Sequence, residues 1–287
     1  MDSKEKRYAI REVAAITGVK PVTLRAWQRR YHLVEPSRTE KGHRLYSEQD
    51  IQQIQQIQSW LAKGISIGNV TQLLQSTDAS ELEPSGSGGL EECESFLSAL
   101  VELNRGKAEA IMVAILKNYP LEIVRQQFVI PVDEALLRMK SSRQSIQRGL
   151  FQSMLIGQFA WMITTANRAS HLGKCLCVSL DPVGSIWAWL RALQIAEQGY
   201  FTALLDGVEE LSGLLDHASE GAFQRIDFFS NRALTSKQQQ VIRQLQQLQE
   251  QPTNTDEQTA LRGKPFRGQT PLVVTCDGLL QPFESEA

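Results

Sequence analysis

Histidine and cysteine are scarce in this chain, aromatic residues make up only 7%, and positive and negative side chains almost cancel, to a net charge of −2. Each shortage excludes something. Four cysteines, Cys93, Cys175, Cys177 and Cys276, scattered over 287 residues are too sparse for the disulfide framework of a small secreted domain. They are read as free thiols in a reducing, cytoplasmic setting. The small net charge argues against a protein that coats a polyanion uniformly. The most apolar stretch, Met154–Ile163, is far short of the ~20 residues a membrane span needs, and Met1–Arg7 is charged and has no apolar core of a signal peptide. No membrane partner is expected.

What charge there is has been segregated. Residues 1–76 hold 12 lysines and arginines against 7 acids, whereas the remainder holds 18 against 25. One end is thus suited to face a polyanion and the other is not. Between them, Ser76–Gly89 contains Pro84, three glycines and many small polar residues, a linker composition. Residues 90–172 follow helical patterns. Phe96, Leu97, Leu100, Val101 and Leu103 begin one amphipathic run, Ala110–Leu116 continues it, and Pro131 is expected to start another helix. Phe151–Thr164 is apolar nearly all round, as a helix buried within a bundle would be. From Lys174 the period changes. Strands are predicted at Cys175–Leu180, Tyr200–Leu205, Ile226–Phe229 and Leu272–Thr275, with helices at Ile186–Gln198 and Gln238–Glu250. Alternation of this kind implies a parallel sheet. The predicted architecture is multidomain. A winged helix-turn-helix dominated by α-structure spans residues 1–75, a linker 76–89, a helical bundle 90–172, and an α/β, flavodoxin-like parallel sheet 173–287.

The basic end carries the most specific pattern. Ile10, Val13 and Ala14 form the inner face of a short helix, and Thr17–Lys20 is a tight turn around Gly18. Pro21 opens a second helix, on which Leu24, Trp27 and Tyr31 recur at spacings of three and four and pack on the first. The opposite face carries Val22, Arg25, Ala26 and Arg29, with Thr23 and Arg30 on its borders. Two short helices joined by a glycine turn, with arginines outside on the second, describe a helix-turn-helix; the segment from Ile10 to Arg29 is the candidate for binding double-stranded DNA. A hairpin wing follows. Leu33–Pro36 and Arg44–Tyr46 are its expected strands, and the polar tip between them gathers Arg38, Lys41, His43 and Arg44. His43 is read as a polar tip residue, since no metal-ligating cluster accompanies it. Ser47 caps a third helix with Ile51, Ile54, Ile57 and Leu61 inward; Gly64 ends it, and Ser66 caps a shorter one.

The strings Ile10–Ala14, Pro21–Tyr31 and Gly42–Tyr46 resemble the DNA-binding domain of the MerR family, in its MlrA-like branch, over the first quarter of the chain. The resemblance implies a homodimer on a two-fold DNA site and activation of promoters with overlong spacers, so that RNA polymerase is reached indirectly through the DNA. It places Thr23, Arg25, Arg29 and Tyr31 on or beside the recognition helix, and Arg38, Arg44 and Tyr46 on the wing. The long dimerisation helix usual in the family is replaced by the Ser76–Gly89 linker. The bundle-plus-sheet body is similar to the cobalamin-binding light sensors of the same family, which carry Asp-x-His-x-x-Gly after their first strand. Here that string reads Asp181-Pro182-Val183-Gly184-Ser185-Ile186. Val183 replaces the cobalt-ligating histidine, and Met139–Phe151 offers Arg143, Gln144, Gln147 and Arg148 but no Glu-His pair. No cobalamin is expected by that mode, and no other cofactor. An effector of unknown identity, a protein, or a second copy remains open for this domain.

Other chemistry is thin. Cys175 and Cys177 share one face of a predicted strand; buried packing is the simpler reading and metal or redox sensing the alternative. His171 and His217 have no neighbours in sequence to act with, Asp206-Gly207 is a strand-end turn, and the Gly86–Gly89 run lacks the strand and lysine of a phosphate loop. Nothing resembles a nucleophile with its base, so no enzyme is expected. Two functions are carried forward: a DNA-binding transcription regulator, an activator acting as a dimer, and alternatively a cofactor-binding photosensor or ligand-sensing regulator that uses the C-terminal domain.

Overall fold

The computed structural model describes residues 6–75, 89–139, 142–219, 223–250 and 273–277; apart from Gly89, the linker lies outside them. The chain divides into two compact units, Met1–Phe151 and Gln152–Ala287.

In the first unit, strand β1 (Tyr8–Ala9) leads into α1 (Ile10–Thr17). Gly18 ends α1 at φ 71°, and its N–H donates to Ala14 O. Helix α2 (Pro21–Ala26) then opens with proline at its first turn and runs on into a π turn, Trp27–Tyr31, in which His32 N–H reaches back to Trp27 O. His32, at φ 50°, stops it. Strands β2 (Ser37–Arg38) and β3 (Arg44–Tyr46) form the wing hairpin, and β1 adds to the other edge of β3. The first wing strand is therefore Ser37–Arg38, not Leu33–Pro36: Leu33, Val34 and Pro36 are buried as the chain leaves the helix, and the alternation read from them was core burial. Helix α3 (Glu48–Ala62) begins with a capping box in which Ser47 Oγ accepts from Asp50 N–H and Asp50 accepts from Ser47 N–H. Its stripe Ile51, Ile54, Ile57 and Leu61 is buried against this head, each such side chain contributing about 1.5–3 kcal/mol. Helix α4 (Ile67–Gln75) completes it.

The same unit continues through α5 (Glu92–Val101), α6 (Arg105–Asn118), α7 (Leu121–Val124), a second π turn (Arg125–Val129), α8 (Ile130–Arg138) and the start of α9 (Gln144–Asn167). Phe96, Phe128 and Phe151 meet edge-on, with centroids 4.9, 5.8 and 6.3 Å apart, and fill its centre. Pro131 sits in the first turn of α8, as expected, although α8 continues a helical path that starts at residue 121. Lacking an N–H, it cannot bond Gln127 O four residues back. That carbonyl instead accepts from Leu90 N–H at 2.8 Å and from Cys93 Sγ at 3.3 Å. Helix α9 is not buried all round: Phe151, Met154, Leu155, Phe159 and Ile163 form a buried face, while Ile146 and Trp161 are exposed.

The second unit is built on strands β4 (Lys174–Ser179), β5 (Phe201–Leu205), β6 (Arg225–Phe229) and β7 (Val273–Asp277), all parallel, in the order β5-β4-β6-β7. Helices α10 (Ile186–Glu197), α11 (Gly213–Ser219) and α12 (Ser236–Glu250) complete the alternation. The starting strand sits inside the sheet and the chain winds outward both ways, as in open doubly wound folds. Leu176, Val178, Ile226 and Phe228 pack with Val241, Ile242 and Leu245 of α12. The alternate residues of β4, Cys175 and Cys177, are fully buried on the other face as free thiols. There Asp227 is gripped by Arg191 of α10 through both carboxylate oxygens and by Arg225.

Candidate nucleic-acid interface

The helix-turn-helix and the wing are joined by side chains as well as by chain. Arg44 Nε on β3 donates to Oε1 of Gln28 in the helical segment 21–31. Arg38 and Arg44 are themselves cross-strand partners. Like charges directly opposite on a hairpin repel, so this placement costs stability unless an anion lies against it. The tip is tightly made. Thr39 N–H donates to His43 O, Gly42 N–H to Thr39 O, and His43 N–H to Thr39 Oγ1, with Gly42 at φ 79°.

The candidate residues fall into two groups. Val22, Arg25 and Arg29 on the helix and Arg38, Lys41 and His43 on the wing are exposed, and Arg44 is half-buried against Gln28. Arg25 and Arg44 both lie close enough to the Tyr46 hydroxyl to pull its pKa down, although burial dominates and raises it.

The second group points elsewhere. Thr23 and Tyr46 are fully buried, and neither hydroxyl has a hydrogen-bond partner among the described residues. Thr23 lies on the core side of the helix, not on the border of its outer face. Tyr31 is half-buried, and its hydroxyl accepts from Asn118 Nδ2 at 2.9 Å. Burial raises its pKa, with Arg30 opposing and Glu92 adding to the rise. Arg30 is exposed but donates to Asn118 Oδ1 at 3.3 Å. Trp27 is fully buried and donates from Nε1 to Asn118 O at 2.7 Å. Sequence reasoning missed Gln28 and Asn118. Gln28 carried a weak signal, lying beside Arg29 on a helix already singled out; Asn118 carried none.

In the second unit, the loop after β4 is closed by the protein's own groups. Asp181 accepts from Asn231 N–H, Asn231 Nδ2 and Ser185 Oγ. Asp206 Oδ2 accepts from Gly184 N–H and Trp189 Nε1. Val183 is 79% exposed at the loop's tip and crowds Gly207, where any Cβ would fall 2.3 Å from Val183 Cγ2. Among the described residues no three His, Cys, Asp or Glu side chains gather in a metal-binding group, and no helix is long and apolar enough to cross a membrane.

Residues 8–77 match the family described as MerR HTH family regulatory protein. The chain is 30% identical to the HTH-type transcriptional regulator MlrA of Salmonella typhimurium over 233 residues, covering 81% of this chain and 92% of the relative. It is 30% identical to MlrA of Escherichia coli K12 over 236 residues, 82% of this chain and 93% of that protein. The HTH-type transcriptional repressor CarH of Myxococcus xanthus is 28% identical over 125 residues, 40% of this chain and 42% of CarH.

Proposed function

This chain belongs to the MerR family of DNA-binding transcription regulators, and from that premise we propose how it meets DNA and what it does there. Val22, Arg25 and Arg29 enter the major groove. There arginine reads guanine bidentately or grips phosphate, while Arg38, Lys41, His43 and Arg44 of the wing follow the adjacent backbone. The observation that carries this reading is the Arg44–Gln28 bond. It ties the wing arginine to the recognition helix beside a second, otherwise repelling arginine. The protein acts in the cytoplasm as a homodimer on a two-fold site. It activates promoters by reshaping the DNA that RNA polymerase reads, as the family resemblance implies, and it works by binding and not by catalysis.

Cobalamin held in the manner of the family's light sensors does not fit these residues. Valine cannot ligate cobalt, Asp181 accepts from Asn231 and Ser185, and Asp206 Oδ2 accepts from Gly184 and Trp189, with only its Oδ1 left without a partner among the described residues. The C-terminal unit is assigned to effector or self-association contacts instead. Incubation with cobalamin should leave the repurified protein colourless; a stable visible chromophore would overturn this assignment.

The DNA reading is tested by mapping bound sites across the genome and measuring affinity for one of them against salt. Binding should be sequence-selective and weaken steeply as salt rises, because phosphate contacts release counterions. Absence of selective sites would sink it, and lower transcription from the bound promoters in the presence of the protein would reverse the sign of regulation.

A further inference from the structure

One residue of the helical bundle holds the end of the recognition segment. Asn118, the last residue of α6, is 5% exposed and bonds three residues within a single turn. Its carbonyl accepts from Trp27 Nε1, its Oδ1 from Arg30 Nη1, and its Nδ2 donates to the Tyr31 hydroxyl. Further polar contacts lie around it, beside the buried rings of Trp27 and Tyr119. Tyr119 donates its hydroxyl to Glu92 Oε1 and accepts from Ile67 N–H at the start of α4. Gln127 Nε2 bonds Leu61 O at the end of α3.

Two oxygens in this seam, Glu92 Oε2 and Gln127 Oε1, are buried without a hydrogen-bond partner among the described residues. A buried acceptor left unpaired opposes the contact that buries it. A seam built for permanent cohesion would be apolar or fully satisfied. This one combines directional bonds with unpaid desolvation, the balance expected of a contact that opens.

We propose that Asn118 is a brake on DNA binding: it holds Arg30 and Tyr31 to the bundle, and release of that contact frees the Arg30 guanidinium for a further phosphate. The proposal rests on the DNA reading given above. It makes the bundle, and any ligand or partner that moves it, a controller of affinity through a residue that touches no DNA. Arg30 is the suited output. It lies next to Arg29 of the proposed DNA face, is exposed to solvent, and is tied to the bundle by one 3.3 Å bond to a neutral amide oxygen, weaker than the paired-charge, bidentate bond a phosphate offers.

The test uses the full-length protein and a mixed-sequence duplex, with affinity measured over a range of salt. Asn118→Ala removes both side-chain bonds but keeps the carbonyl that receives Trp27. It should tighten binding about tenfold and steepen the salt dependence by about one further released counterion. The gain should vanish in the N118A/R30A double variant. Asn118→Asp replaces the neutral acceptor by a carboxylate, grips Arg30 more firmly, and should weaken binding. Opposite signs from two substitutions at one site are not produced by a merely structural role. If Asn118→Ala folds and binds no tighter, the brake is refuted. If it fails to fold, Asn118→Asp decides, since unchanged or tighter binding there also refutes it. A wild-type protein that binds no duplex would overturn the DNA reading itself, and the brake with it.

Discussion

Arg44 of the wing and Gln28 of the second helix of the head, 16 residues apart in sequence, share a hydrogen bond from guanidinium to amide oxygen. The wing is thereby set by the helix it flanks, and helix and wing should behave as one DNA-reading element.

The first prediction follows from that bond. Gln28→Ala should loosen Arg44 and weaken duplex binding, but less than Arg44→Ala. In a double-mutant cycle on binding free energy the two should couple by about 0.5–3 kcal/mol. Additive effects would mean that the bond does not orient the arginine.

Arg25 is exposed and has a different fate on substitution. Arg25→Ala should cost about 1–3 kcal/mol of binding to a selected site and lower the salt slope by about one. Its unfolding free energy should change by less than about 0.5 kcal/mol. Isotherms and chemical denaturation on the same preparations separate the two, and unchanged affinity would move the interface away from this face.

Trp27→Phe keeps most of the buried ring but removes the indole donor, leaving Asn118 O unpaired in a buried seam. Denaturant unfolding should show a loss of about 1–3 kcal/mol. A smaller loss than about 0.5 kcal/mol would show that the carbonyl finds another partner.

Burial pushes the Cys93 thiol up to about 11 and Cys175, beside Asp227, up to about 12, and holds Cys177 well above its ordinary value. A raised folded pKa contributes stability that is fully present below the unfolded pKa, 9.0 for a cysteine thiol. It is lost as pH climbs towards the folded values, because only the unfolded thiols ionise. Unfolding free energy should therefore fall between pH 9 and about 12, and Cys175→Ala should flatten part of that fall. Peptide-resolved alkylation at neutral pH should leave all three native thiols unmodified until the protein unfolds; rapid native labelling of Cys175 or Cys177 would favour the redox-sensing alternative.

The local pattern of the sequence determines the helices of the head, the Gly18 turn, the Ser47–Asp50 cap and the strands Lys174–Ser179, Phe201–Leu205 and Arg225–Phe229, because each depends on residues within a few positions of one another. It also singled out Arg25 and Arg29, since a helix of period 3.6 places them opposite Leu24 and Trp27. Only the tertiary structure decided that Thr23 and Tyr46 face inward, that the wing begins at Ser37 and not Leu33, and that Tyr31 and Arg30 are taken by Asn118. Those outcomes turn on partners as distant as the 91 residues between Trp27 and Asn118, and no periodicity in a segment reports which far side chain will occupy its surface. The π turn at Trp27–Tyr31 compounds this, since i→i+5 bonding shifts the side chains at its end from the positions a regular helix would give them.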